Sequence, residues 1–109
     1  MKATISEADF TRQVLDLARL LGWRTAHFRP GMMRSGKWVT PVQGDGKGFP
    51  DLVLVRGPVL LFVELKVGRN KITFEQGMWL AAFKRAGQRA LLWTPADWPD
   101  IEKVLRGDS

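Results

Sequence analysis

The chain has 109 residues, 45% of them hydrophobic, with a formal charge of +6 and no cysteine. This length suits one domain with a single core, and this composition does not suit wholesale disorder. Disulfides and thiolate metal sites are excluded, which is compatible with a reducing compartment.

The opening run MKATISEADF lacks the apolar core of a secretory signal. Uninterrupted apolar runs such as Val59 to Val63 and Met78 to Phe83 are far too short to span a bilayer. These features predict a soluble, cytoplasmic protein with no membrane partner. Between Arg24 and Lys71 there are nine Lys or Arg and three acids: Asp45, Asp51 and Glu64. A basic middle points to a polyanion, most commonly nucleic acid; a solvated surface kept for solubility is the plainer explanation.

The first predicted element is TISEADFTRQVLDLARLLG, residues 4–22. Glu7, Phe10, Val14, Leu17 and Leu21 recur at helical spacing. Thr4 and Glu7 fit a capping box, and Gly22 fits a C-terminal stop. WRTAHF, residues 23–28, alternates mildly and predicts a strand. Residues 29–48 hold five glycines and two prolines, a long loop with a short strand expected at Trp38 to Val42. Loops of this length in small domains are usually functional or mobile. Leu52 to Val55 and Val59 to Val67 predict two strands around Arg56-Gly57-Pro58. TFEQGMWLAAFKRAG predicts a helix, with Thr73 and Gln76 spaced as a capping box and Gly87 as the stop. Gln76, Trp79, Leu80 and Phe83 share one of its faces. Arg89 to Trp93 predicts a strand, and Trp98, Ile101, Val104 and Leu105 a closing helix after Asp97. The order is α-β-β-β-α-β-α in one domain over residues 1–109. The first three strands can form an antiparallel meander, and the last, reached through a helix, should run parallel to its neighbour. The expected fold class is α/β, a mixed four-stranded sheet flanked by helices.

Three charges stand out in this pattern. Asp51 opens the first apolar run, and Glu64 and Lys66 interrupt the end of the second. Unpaired charges are costly in a buried sheet. Glu64 and Lys66 are two apart on a strand and so share a face, while Val63, Leu65 and Val67 take the other. A carboxylate beside an ammonium, with a second carboxylate nearby, suits metal-assisted phosphodiester hydrolysis. A hard cation such as Mg²⁺ prefers oxygen ligands, and a neighbouring lysine can orient water or offset phosphate charge. The pairing has a condition: Asp51 reaches Glu64 if Val55 opposes Leu60 across the turn, or if a bulge has the same effect, because a one-residue slip puts the two carboxylates on opposite faces.

Pro50-Asp51, Glu64-Leu65-Lys66 and Gln76 in a following helix together resemble the PD-(D/E)xK nuclease superfamily. Within it the chain is most similar to the VRR-NUC family, over nearly its whole length: the leading helix, the lead-in GKGFPD, the ELK strand and the EQxxW helix. The resemblance implies a restriction endonuclease-like core. It implies that Asp51 and Glu64 ligate one or two Mg²⁺ or Mn²⁺ ions, with the Leu65 carbonyl as a further ligand. Lys66 would assist the nucleophilic water, Gln76 would support the site, and Glu7 resembles the family's leading acidic residue. The implied activity is DNA endonuclease, leaving a 5′-phosphate and a 3′-hydroxyl. Holliday junctions are the first substrate and a homodimer the expected assembly, in a setting such as DNA repair. A flap or nicking nuclease is the alternative within enzymes, and a non-catalytic DNA-binding module on a nuclease fold is the alternative outside them.

Plainer roles stand beside these. Asp51 could be an ordinary strand-start residue, Glu64 with Lys66 a surface pair on an edge strand, and Gln76 and Glu7 mere capping partners of Thr73 and Thr4. Continuous apolar flanks argue against an edge for Glu64. Arg34, Lys37, Lys47, Arg69 and Lys71 are the phosphate-contact candidates, and Trp38 in the basic loop is the base-stacking candidate. Trp79, Trp93 and Trp98 are expected in the core, and His27, the sole histidine, as structural.

Overall fold

The computed structural model describes residues 5–28 and 42–108, with the backbone alone at 31–32 and 38–39. It has three α-helices and a four-stranded mixed sheet. In chain order these are α1 (Glu7–Leu20), β1 (Arg24–His27), β2 (Gly31–Met32), β3 (Trp38–Val39), β4 (Leu52–Arg56), β5 (Val59–Leu65), α2 (Phe74–Arg85), β6 (Arg89–Trp93) and α3 (Trp98–Arg106). The sheet order is β1-β4-β5-β6; among the described residues, β2 and β3 form a separate two-stranded pair. The expected element order therefore holds, with a small extra hairpin inside the long loop and a 3₁₀ turn over Pro95–Asp97. β1, β4 and β5 are antiparallel, and β6 runs parallel to β5 after the α2 crossover.

The β4–β5 hairpin has a two-residue loop, Gly57-Pro58, because Arg56 and Val59 pair directly. Gly57 has φ +57°, as a glycine-first hairpin turn requires, and such turns match the twist of the strands. The resulting register pairs Val55 with Leu60 and Leu52 with Val63, which meets the condition set by the sequence. One face of the hairpin carries Leu52, Leu54, Leu61, Val63 and Leu65, all fully buried against Phe10, Val14 and Ala18 of α1 and Ile101 and Leu105 of α3. The other face carries Val53, Phe62, Glu64 and Lys66 beneath the α2 side.

The start of α1 differs from expectation. Ser6, not Thr4, is the N-cap, and its side chain accepts from the Asp9 N–H at 3.0 Å; Thr4 lies outside the described residues. Serine is as good a cap as any, and a start at Ser6 keeps Phe10 and Val14 on the core side. The helix ends as expected. Gly22, at φ +88°, follows the cap, and the Trp23 and Gly22 N–H groups return to the Ala18 and Arg19 carbonyls, a Schellman pattern.

Among the described residues, no helix is long and apolar enough to cross a membrane.

Candidate active site

Asp51 sits just before β4. The Phe28 N–H donates to its carbonyl at 2.8 Å, so the backbone there continues the β1–β4 ladder. Continuing the β4–β5 register by one step brings Asp51 opposite Glu64. The Asp51 Oδ2 accepts the Leu65 N–H at 2.9 Å, which ties its carboxylate to the end of β5. The Pro50 ring before it is fully buried.

Glu64 is 1% exposed. Its Oε2 accepts from Gln76 Nε2 at 2.8 Å and lies 3.5 Å from Lys66 Nζ. Its Oε1 is buried with no hydrogen-bond partner. An orphaned acceptor of this kind is rare in folded proteins and points to a site rather than a packing role. Burial, and then the Asp51 carboxylate, push Glu64 up to about 8, with Lys66 opposing. Burial also raises Asp51, against the pull of the Leu65 N–H, and the charge of Glu7 adds to the rise. Like charges held together out of water favour the neutral form of one partner. Burial and the neighbouring carboxylate therefore favour the protonated form of Glu64.

Gln76 serves as the cap partner and also touches Glu64. Its backbone N–H and side-chain Oε1 complete the capping box with Thr73, at 3.1 and 2.8 Å. With Oε1 engaged there, the amide NH₂ is the end that faces Glu64. The cap thus fixes the orientation of the group that holds the carboxylate.

Glu7 is exposed at the first turn of α1, not buried on the apolar face. It lies near enough for its charge to act on Asp51. Lys66 is largely buried, its side chain 15% exposed. Lys47, Arg69 and Lys71 are exposed, and Lys47 is partly engaged by Glu75 at 3.4 Å. Arg34, Lys37 and the side chain of Trp38 lie outside the described residues. Among the described residues, no group of three or more His, Cys, Asp or Glu converges as a ligand set. An ion here would lean on the two carboxylates, backbone carbonyl and water, as Mg²⁺ commonly does.

Two features escaped sequence reasoning. One is an aromatic cluster under α2. Phe49 sits edge-on to Phe28, Phe62, Trp79 and Phe83, and Phe62 stacks on Phe83 at 3.8 Å. Trp79 belongs here, not to the main core; Trp93 is in the core, and Trp98 is half-buried against it. The other is the docking of the glycine-rich lead-in on α2. The Trp79 indole N–H donates to the Asp45 and Lys47 carbonyls at 3.0 and 3.2 Å. A Cβ on Gly48 would stand 2.6–2.7 Å from Glu75 and Gln76, so only glycine permits this approach. The run of glycines hinted at such a contact, but nothing in the sequence named its partner.

Compared with family models, curated proteins and solved structures, the chain has no match in any of the three.

Proposed function

We propose that the chain is a divalent-metal-dependent DNA endonuclease with a restriction endonuclease-like core of the VRR-NUC type, acting on branched DNA. The observation that carries this reading is a half-buried Asp51 beside a fully buried Glu64, with an orphaned Glu64 oxygen and a lysine beside it, in a chain of charge +6. The donor set fits Mg²⁺ or Mn²⁺: two hard carboxylates, one already turned toward Leu65, whose carbonyl is the further candidate ligand. When bound, such an ion lowers the pKa of its water and polarises the phosphoryl group.

The chain's own residues have separate tasks in this account. Asp51 and Glu64 bind the ion in place of the proton that burial favours on Glu64. Gln76 keeps Glu64 in one orientation. Lys66 offsets charge on Glu64 in the resting protein and charge on the phosphate in the reaction. Glu7 adds negative potential at the mouth of the site. Arg69 and Lys71, exposed just past β5, contact phosphates and fix the strand's register. Pairing of two copies belongs to the same proposal, since a junction needs two incisions. The outward side of α2, where Phe74 is 68% exposed, is the surface suited to it.

One experiment tests the reading. Purified protein with Mg²⁺ or Mn²⁺ is offered linear, nicked, flapped and four-way DNA. Cleavage is expected, strongest on the four-way junction, and Glu64→Gln or Asp51→Asn should lower it by a factor of about 10³ or more, as losing preorganised charge stabilisation does. Retained affinity in these variants is expected, because the basic contacts remain. Full activity of Glu64→Gln would remove the site; a single-copy mass by light scattering would remove the pairing.

A further inference from the structure

Between the docked loop and α2 lies an open cleft of about 630 Å³, lined among others by Asp45, Lys47, Glu75, Met78, Trp79 and Ala82. Its size falls in the range of small-ligand sites. Trp79, Met78 and Ala82 make an apolar floor, and two acidic residues and an amine stand at the rim. The walls are fixed. The Trp79 N–H holds two loop carbonyls, Lys47 pairs with Glu75, and Gly48 is pressed on the first turn of α2. The loop therefore keeps one position beside the helix. With its N–H engaged by the protein, the indole offers the cleft only its ring.

The position matters as much as the lining. Gln76 touches Glu64, and Trp79 is three residues further along the same helix, one turn away. Gly48, packed against Gln76, is three residues before Asp51. The cleft thus opens about one helical turn from the carboxylate pair. An aliphatic side chain would fill the floor but leave Asp45 unanswered, since Glu75 is met by Lys47. A flat ring with an N–H donor on its edge answers both the floor and Asp45.

We propose that this cleft takes one unpaired nucleobase of the strand being cut, laid against Trp79, with an N–H donor of its edge toward Asp45. The proposal rests on the nuclease reading of Asp51 and Glu64. A base within a duplex is stacked on both faces and cannot enter, so the cleft favours strands with an unpaired nucleotide beside the scissile phosphate, as at a branch point or flap. Stacking of this kind tolerates any base, which is consistent with selection by structure rather than by sequence.

The test is binding in EDTA, which needs no cleavage. A strand of twelve deoxycytidines and a twelve-residue abasic strand are titrated into wild type and Ala82→Phe by fluorescence anisotropy. Ala82 is exposed and makes none of the loop contacts, so the larger ring fills the cleft without releasing the loop; circular dichroism checks the fold. Wild type should prefer the deoxycytidine strand by at least fivefold, and Ala82→Phe should lose that preference while binding the abasic strand unchanged. Equal binding of both strands by wild type, or full preference in Ala82→Phe, overturns the proposal. If Glu64→Gln still cleaves but Ala82→Phe loses the preference, the assignment of the cutting site to Asp51 and Glu64 fails and the base cleft stands.

Discussion

The two faces of the β4–β5 hairpin are made by alternate residues of the same strands, yet they are built to opposite standards. Toward α1 and α3, Leu52, Leu54, Leu61, Val63 and Leu65 are all at 0% exposure, aliphatic and dry. Toward α2, Glu64 and Lys66 share the surface with half-buried rings, and Glu64 keeps an oxygen without a partner. The first face maximises buried apolar area; the second holds charges in a place where the fold alone would not put them. A two-residue period lets one hairpin serve both ends, provided the register never slips. The direct pairing of Arg56 with Val59 holds that register.

The sharpest way to break this contrast is to remove the charge conflict. Glu64 has a folded pKa of about 8 against an ordinary 4.5, so the folded state binds its proton more tightly than the unfolded state. The sign follows: stability in EDTA should fall as pH rises from about 4.5 to about 8 and stay low above that. The loss should be on the order of a few kcal/mol. Glu64→Gln keeps the shape and the Gln76 contact but has nothing to titrate. Denaturant titrations from pH 5 to 9 should show that slope in wild type and not in the variant, with the variant the more stable at pH 8.5. Parallel curves would mean that the two carboxylates do not conflict.

Much of this was legible beforehand, and the reasons are local. Alternation along β5, interrupted at Glu64 and Lys66, showed the two faces. Apolar runs on either side of Gly57-Pro58 left few registers, and the one that joined Asp51 to Glu64 is present. Thr73 and Gln76 form the expected capping box because a capping box involves only near neighbours. What could not be read depends on contacts between distant segments. The Trp79 anchor joins residues 32–34 positions apart. Helical spacing put Trp79 on the inward side of α2 correctly, but could not say that a loop, rather than the core, meets it there. The shift of the α1 cap from Thr4 to Ser6 has a different cause: two good capping residues lie two apart, and packing chose between them.

The dry face should respond in the opposite way to the charged one. Leu61→Ala opens a cavity under α1 and should cost about 2–5 kcal/mol, as large-to-small core changes do. It should do so at every pH and leave the remaining folded protein with its full response to metal. A pH-dependent loss would mean that the two faces are not independent.

A smaller effect is expected at Arg56, at the end of the dry face. Its guanidinium donates to the Leu21 and Leu105 carbonyls at 3.1 and 2.8 Å and lies 4.8 Å over the Trp23 ring. It thereby closes the C-terminal ends of α1 and α3, where cations are favoured. Arg56→Met should cost about 2 kcal/mol, the scale of hydrogen bonds to a charged group, measured by chemical denaturation. No loss would show that the two helix ends are closed well enough by Trp23, whose indole N–H also donates to Leu105.

The central claim is that the Asp51–Glu64 pair is a divalent-metal site, and thermal unfolding across a Mn²⁺ titration at pH 7.5 tests it most directly. Wild type should gain stability with rising Mn²⁺ by mass action, reaching about 2.7 kcal/mol at a hundredfold excess over the dissociation constant. Glu64→Gln, which lacks one charged ligand, should respond far less, and the stability ranking of the two proteins should reverse as metal is added. A wild type indifferent to Mn²⁺, or two proteins that respond alike, would contradict the account.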